Sequence, residues 1–423
     1  QIAINLLFMK KSLKSILILL ITCQSFSQGL KLANDFQISE LPTINNDALG
    51  FVENLPASYS FEQYVPMVLS QSGSSCVGFS TLYYALSTQY NITLGISNKV
   101  QITSHSFDPY YIYSMVKSRD KEDCSEGSYF HEAYDYLLKY GAKKMFIAPF
   151  LTCNPQWNES KVESVLPYTM PYSIDDWGVY NTDENDFLSK AKNAIYYDYP
   201  LVFGVGVTNS LYSKNTDNES GISNDGLWRP SDTEDRFGGH AMTIVGYDDY
   251  KFGGSFRVVN SWGSDYGDNG YLWIRYSDFI KNVKTTYIMF LKDEISPENN
   301  PSIDFSNFQR IVRNDYSMEG QLKYGKFNGY GIYHSNDNNM SYMGKFTNGN
   351  MEGYFLMLDN DGFYEGTVRN GEFIDFEKLG FSDEDSEVSE NRLMAKKYFN
   401  LFDTTSLNLK KSIGVQKTYG VKE

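Results

Sequence analysis

Basic charge is in short supply in this chain: Lys and Arg total 37 against 52 Asp and Glu in 423 residues, a formal net charge of −15. The phosphate-neutralising footprint of a nucleic-acid binder is missing, so nucleic acid is not expected as a partner. Cysteine is scarce as well. Four residues are too few for a disulfide scaffold, and each has to be read by itself. Histidine is equally rare, which limits a general base working near neutral pH to His105, His131, His240 or His334. Long apolar runs are missing too: the clearest, Ile16 to Ile21, falls far short of the ~20 residues that span a bilayer, so no transmembrane segment is expected in the mature chain. What the chain does have is aromatics, 34 Tyr and 28 Phe in a sequence that is 41% hydrophobic. At roughly 100 to 200 residues per domain this supports two or three globular domains, with a bias usual for β-rich extracytoplasmic proteins.

The sequence opens on Gln1, and Met9 is followed by Lys10, Lys11 and Lys14 and then by the apolar run. That order predicts a secretory signal peptide over 1–27, cleaved after Ser25-Phe26-Ser27, with 1–8 as upstream read-through. Loss of the three lysines takes the net charge to −18. Lipidation at Cys23 is the weaker alternative, because Thr22 stands where a lipobox has a small residue. Either way an extracytoplasmic location is expected, secreted or periplasmic.

Residues 28–49 are polar and Asn-rich and read as a linker, and 50–295 alternate helical and strand-like stretches. Two prolines in Ser296-Pro297-Glu298-Asn299-Asn300-Pro301 mark a second linker, 296–312. Beyond it, over 313–376, glycines recur at offsets of five and nine: Gly320, Gly325 and Gly329, then Gly344, Gly349 and Gly353, then Gly366 and Gly371. Tyr342-Met343 and Tyr364-Glu365 place an aromatic ahead of two of the anchors. This resembles three MORN repeats, short β-hairpins whose glycines permit tight turns and whose aromatics bury against the next hairpin. The tail, 377–423, is acidic first and then basic, and reads as solvated.

Cys76 sits in Gln71-Ser72-Gly73-Ser74-Ser75-Cys76-Val77-Gly78-Phe79 and is followed by helix-compatible apolar residues Leu82, Tyr83, Ala85 and Leu86. A cysteine at a helix N-terminus has its thiolate favoured, the more so beside an imidazolium. A buried structural cysteine is the competing reading. Among the histidines, His105 and His334 lie in polar, loop-like contexts and His131 begins a helix. His240 instead opens the apolar strand Gly238-Gly239-His240-Ala241-Met242-Thr243-Ile244-Val245. A second strand, Phe256-Arg257-Val258-Val259-Asn260, follows a turn-rich stretch. A hairpin centred near Tyr250 places His240 opposite Asn260, whose amide oxygen would fix the imidazole tautomer.

With Asn260-Ser261-Trp262-Gly263-Ser264-Asp265-Tyr266-Gly267 completing the order, the chain resembles a papain-like cysteine peptidase. Asp265 and Asp268 lack the spacing of a calcium loop, and no metal or cofactor is expected. The resemblance implies an α+β fold: a two-lobed peptidase domain, helical lobe plus antiparallel barrel-like lobe, followed by the MORN-like sheet. It implies Cys76 as nucleophile, His240 as base and acid, Asn260 as orienter, Gln71 with the Cys76 N–H as oxyanion hole, and Trp262 as a shield over the His240–Asn260 bond. Gly127 would offer backbone to a substrate and Ala241 would face an apolar pocket. The departures are Val77 in place of an aromatic, a Gln71 one residue nearer to Cys76 than usual, and long spacings to His240 and Asn260 that the polar stretch Thr208 to Phe237 absorbs. In Cys124-Ser125-Glu126-Gly127, Glu126 replaces a glycine. Ser74 stands where the family has the partner of the cysteine resembling Cys124, which leaves Cys153 as its disulfide partner. The implied activity is that of an exported thiol endopeptidase acting on protein or peptide, with the repeats binding a surface or a protein partner. The alternative is an inactive papain-like adaptor. The 22 residues ahead of the domain are too few for a folded inhibitor, so no large propeptide is expected, and the repeats are expected to form a separable accessory domain.

Overall fold

A computed structural model describes residues 29–44, 49–50, 52–116, 126–145, 172–213, 220–291, 308–324, 326–369 and 372–379. The leader, Cys23, Cys124, Cys153, Gly325, Gly371 and the charged tail lie outside them.

One helical run starts at Cys76 and continues to Thr93, α-helical over Cys76–Gly78 and Ser87–Thr93 and π-helical over Phe79–Leu86. Every residue from Cys76 to Asn91 is buried, so the helix is apolar on all sides rather than amphipathic. Its polar side chains turn back on its own carbonyls: Thr81 Oγ1 donates to Val77 at 2.6 Å and Ser87 Oγ to Leu82 at 2.8 Å.

The helix packs against an antiparallel sheet. The strands before the second linker are β1 (Ser58–Ser60), β2 (Ile174–Asn181), β3 (Leu201–Gly206), β4 (Gly221–Ile222), β5 (Trp228–Arg229), β6 (Gly239–Asp248), β7 (Ser255–Val259), β8 (Tyr271–Arg275) and β9 (Thr285–Leu291). The large sheet runs β2-β9-β3-β6-β7-β8, with β1 also on β6, while β4 and β5 make a separate ribbon. This is the expected mixture of helices and antiparallel sheet, with the second lobe an open path of strands in which β2 and β8 do not pair among the described residues.

The polar linker and the repeat region behave differently from their composition. Leu30 is buried, and the segment from Gly29 to Ile44 is laid along the domain, bridging Gly239, Ser128 and Val179. Residues 28–49 are therefore not a free linker where they are described. The end of the expected second linker is itself a strand, β10 (Phe308–Val312), followed by β11 (Tyr316–Lys323), β12 (Lys326–Ser335), β13 (Met340–Thr347), β14 (Asn350–Asp359), β15 (Gly362–Arg369) and β16 (Glu372–Lys378), which takes in the first residues of the expected tail; all pair in sequence order as a seven-stranded antiparallel meander. The glycine period has a physical cause here. Bulges fall at Gly320/Leu322, Gly344/Phe346 and Glu365/Thr367, and the rings of Phe327, Phe355 and Phe376 lie 3.1, 2.8 and 2.2 Å from where a Cβ on Gly320, Gly344 and Gly366 would be. A side chain at these anchors would displace the ring. Asn348 and Gly349, with φ of 51° and 86°, close β13 to β14 in the manner of an Asn-Gly hairpin.

One face of this meander has its own apolar cluster, with Met318, Phe327, Phe346 and Phe355. The other carries Ile332, Met343, Leu356 and Phe363 into the same core as the helical run. At that junction Glu319 of β11, 1% exposed, accepts from Tyr172 Oη at 2.9 Å and Tyr90 Oη at 3.1 Å, with His105 Nε2 at 3.6 Å. Burial would raise the Glu319 carboxyl, but Lys144, His105 and Arg310 hold it below the ordinary carboxylate value. Lys144 Nζ lies over the rings of Tyr90 and Phe107, 3.3 and 3.9 Å from their centroids. Alongside, Ser341 Oγ donates to Ser104 and so accepts from His334 Nδ1, and Gln101 Nε2 donates to Ser317. His105 and His334 are thus buried interface residues and not loop residues: His105 faces Glu319 of the sheet, and His334 reaches Ser104 of the peptidase region through Ser341. The sheet is joined to the peptidase region through a shared core and a buried charge.

Replacing Glu319 by Ala leaves Lys144 buried beside no carboxylate, and the expected loss is about 3 kcal/mol of stability in urea unfolding. Glu319→Gln should lose less, since it keeps acceptors for the two tyrosines. Burial also holds His105 and His240 down to about 4. The unfolded chain binds their protons near pH 6.5 while the folded chain does not, so thermal stability is expected to fall steadily from pH 6.5 to 4. A midpoint flat across that window would contradict it.

Candidate active site

Cys76 is the first residue of the helical run and is 0% exposed. The backbone N–H groups of Ala241 and Gly29, and of Val77 and Cys76 itself, lie where they favour its thiolate. The Ala241 N–H links Cys76 to His240, since Ala241 follows His240 in β6. His240 Nε2 donates to Asn260 Oδ1 at 2.7 Å, and the same oxygen accepts the Ser261 N–H at 2.7 Å. His240 Nδ1 has no hydrogen-bond partner among the described residues, which leaves that nitrogen for proton exchange.

The two residues do not meet by the expected register. Thr243 pairs with Val259 and Ile244 with Val258, a bulge separates Ile244 from Gly246, and β7 ends at Val259. The 3-10 turn Lys251–Gly253 and the bulge shift the ladder, so Asn260 lies beyond the last pair. It reaches His240 through its side chain from outside the ladder.

Trp262 stacks on the imidazole at 4.4 Å between centroids, Tyr212 stacks on Trp262 at 4.7 Å and Tyr266 meets it edge-on at 4.9 Å. This three-ring cover includes two residues that sequence reasoning missed. Tyr212 sits in the helix Asn209–Tyr212, inside the long polar stretch that had been read only as spacing. Gln71 is buried, with Oε1 accepting from Ser261 Oγ at 2.6 Å, its N–H donating to Ser261 O, and Nε2 donating to Gly73 O at 3.1 Å. Gly73, at φ +65°, tightens the turn between Gln71 and Cys76 in the left-handed region. Ser261 is a third missed residue: it holds the amide by which Gln71 would act.

The groove beside Cys76 is occupied by the chain itself. Leu30 donates its N–H to Gly239 O, Ser128 donates to Gly29 O and Lys31 donates to Ser128 O. The backbone contacts are made by Ser128 rather than Gly127. The glycine's part is clearance, because a Cβ there would lie 2.5 Å from Gly29 O. Leu30 takes the space above Gly204, the partner of Ala241 across β3 and β6, and Lys31 Nζ lies 3.5 Å from Glu126. Covered in this way, the thiol does not have the low pKa expected of it: burial pushes Cys76 up to about 11 against the four N–H groups, and His240 down to about 4. Burial thus favours the uncharged form of each while the groove is covered. Asp268, the other residue of the rejected calcium loop, pairs with Arg257 at 2.8 Å.

Comparison with known proteins bears on this geometry. Residues 62–288 match the model of the papain family cysteine proteases, more than half of the chain. The chain belongs to that family. A curated peptidase C1-like protein of Acanthamoeba polyphaga mimivirus is 35% identical over 120 residues, 28% of this chain and 35% of that protein, so the match spans about a third of the relative's length. Among solved structures, xylellain, a cysteine protease from Xylella fastidiosa, is 20% identical with a TM-score of 0.46, covering 62% of this chain and 96% of its own. A procathepsin B from Trypanosoma congolense is 18% identical with a TM-score of 0.46, covering 63% and 87%. The segment 62–288 is thus a papain-family cysteine peptidase domain, and no described helix is long and apolar enough to cross a membrane.

With the thiol held at about 11, its thiolate fraction rises tenfold per pH unit until that value. Iodoacetamide labelling of Cys76 in the full chain should therefore be slow at pH 6 and steepen through pH 9. A rate already at its plateau at pH 6 would show an ion pair in the covered state.

Proposed function

We propose that this protein is an exported thiol endopeptidase using Cys76, His240 and Asn260, held latent by its own residues 29–32. The observation that carries the reading is the 2.7 Å bond from His240 Nε2 to Asn260 Oδ1, with Cys76 on the adjoining Ala241 N–H. In the uncovered site His240 Nδ1 takes the thiol proton and the sulfur attacks the scissile carbonyl carbon. The oxyanion is met by the Cys76 N–H and the Gln71 amide. Collapse breaks the C–N bond as His240 gives its proton to the leaving nitrogen. Water then adds to the thioester with His240 as base, and the acid leaves with the thiol restored. Asn260 keeps the imidazole in the required tautomer, and the rings of Trp262, Tyr212 and Tyr266 keep water from that bond.

Gly127, Ser128 and Ala241 are assigned to the acyl side of the groove, where Leu30 now sits, which supports an apolar residue two before the cleaved bond. The signal peptide over 1–27 supports export. The glycine-anchored meander of 313–376 is assigned to MORN-like repeats, on the grounds of its period and of the rings seated on the anchor glycines. An inactive adaptor is the second reading, favoured by Val77 and by the engagement of the Gln71 amide with Gly73 O.

A large propeptide is not needed for this: a strap of a few residues is enough, because it blocks by lying on Cys76 and needs no fold of its own. Leu30→Asp, or cleavage near residue 50, is expected to raise turnover of a small peptide at least tenfold, and Cys76→Ala to abolish it. Labelling of Cys76 by an epoxysuccinyl inhibitor only after the strap is released supports the peptidase. Failure to react even then supports the adaptor.

A further inference from the structure

The peptidase region and the C-terminal sheet enclose between them a cavity of about 690 Å³, within the range of ligand-sized sites. Its floor and walls include Met67, Val68 and Leu69 from the stretch before Gln71, Ser264 from the loop after Trp262, and Phe363 with Asp361 from the sheet. Two chain segments run from the active site straight into it. Gln71 donates its N–H to Ser261 O at 2.8 Å, Ser70 bridges Trp262 antiparallel, and Gly263 donates to Leu69 O at 3.3 Å. This short ribbon has Gln71 and Ser261 at one end and Leu69 and Ser264 at the other. At ~3.3 Å per extended residue, its cavity end lies about 7 Å along from Gln71, the reach of two further residues of a bound peptide.

Which half of a substrate passes that way follows from the proton transfer. His240 must give its proton to the leaving nitrogen, and Trp262 lies on the imidazole, so the path along Trp262 and Gly263 belongs to the leaving half. The acyl half is accounted for by the contacts that Gly29 to Lys31 make with Ser128 and Gly239.

Resting on the peptidase reading, we propose that the C-terminal sheet completes the active site. The cavity receives an apolar side chain of the polypeptide substrate about three residues beyond the cleaved bond on the leaving side. The larger part of the lining surface is apolar, from Pro66 to Leu69 with Phe363, and it selects an apolar side chain, while Glu62, Lys99 and Asn269 also line the cavity and Asp361 lies exposed on the turn between β14 and β15. The continuity of the ribbon with Gln71 and Trp262 selects a substrate segment as the occupant. The sheet thereby acts in selection of substrate as well as in stability.

The test uses the full chain carrying Leu30→Asp, with three fluorogenic peptides sharing one acyl half. One ends a single residue past the bond; two extend four residues past it, with Leu or Gly at the third. The Leu peptide is expected to show kcat/KM roughly tenfold above both others. Asp361→Trp, which fills the mouth from an exposed turn, should bring the three toward one value, whereas Asp361→Asn should keep the preference. Equal turnover of all three peptides by the Leu30→Asp chain overturns the cavity assignment alone, as does a preference that survives Asp361→Trp. No turnover of any peptide, together with a Cys76 that ignores the epoxysuccinyl probe, overturns the peptidase reading and this inference with it.

Discussion

Burial of strand β6 is the constraint on which the rest of this molecule depends. Nine of its ten residues are buried, and it takes β3 and then β1 along one side, β7 along the other, and the helical run across its face. A strand so enclosed has no freedom of register, because a slip of one residue would exchange its two faces. That fixed register sets His240 and Ala241 beside the helix start, and the Ala241 N–H in turn holds the sulfur of Cys76. Gly239, at the head of the same strand, holds Leu30. Cys76, His240 and the segment that covers them are thus all positioned by one element that cannot move independently of the core.

A second constraint, the buried carboxylate of Glu319, ties the C-terminal meander to this core. An ionised carboxylate is costly to bury unless charge and hydrogen bonds meet it. Here Tyr90 comes from the C-terminal end of the same helical run that begins at Cys76, and Tyr172 and Lys144 come from the chain around it. The sheet is therefore docked on the far end of the nucleophile helix. That docking also sets the turn between β14 and β15 near Val68 and Leu69, so the same attachment that stabilises the sheet gives it a place beside the catalytic ribbon.

The sequence was legible where chemistry depends on local order. Cys76 at a helix start, His240 at the head of an apolar strand and Asn260 before Ser261-Trp262 are each fixed by a few neighbours, and the glycine anchors of the meander by period. It was illegible where partners are remote. His105 and His334 have polar neighbours and look like loop residues, yet residues from the opposite domain bury them. The hairpin register failed because a bulge and a 3-10 turn leave no mark in hydropathy. Residues 28–49 read as linker because only a few apolar side chains interrupt them, although Leu30 alone is enough to seat the strap. Gly127 was taken for the substrate contact on family grounds, whereas the ladder is made one residue later, at Ser128.

The covered groove and the neutral thiol are one fact seen twice. A thiolate–imidazolium pair needs either water or an opposing charge to stabilise its separated charges. The strap removes the water, and no carboxylate stands among the causes that set the His240 value. What holds the sulfur down is four N–H dipoles, one of them, Gly29, supplied by the strap itself. Those dipoles are outweighed by burial, so the site rests as a neutral pair. Withdrawal of Gly29 to Leu32 removes one dipole but restores solvent to both partners, and solvation is the larger effect, since burial is the leading cause for each. On the proposed reading, latency therefore does not need a distorted site: the His240–Asn260 bond is already made beneath the strap, and what uncovering changes is the solvation of Cys76 and His240.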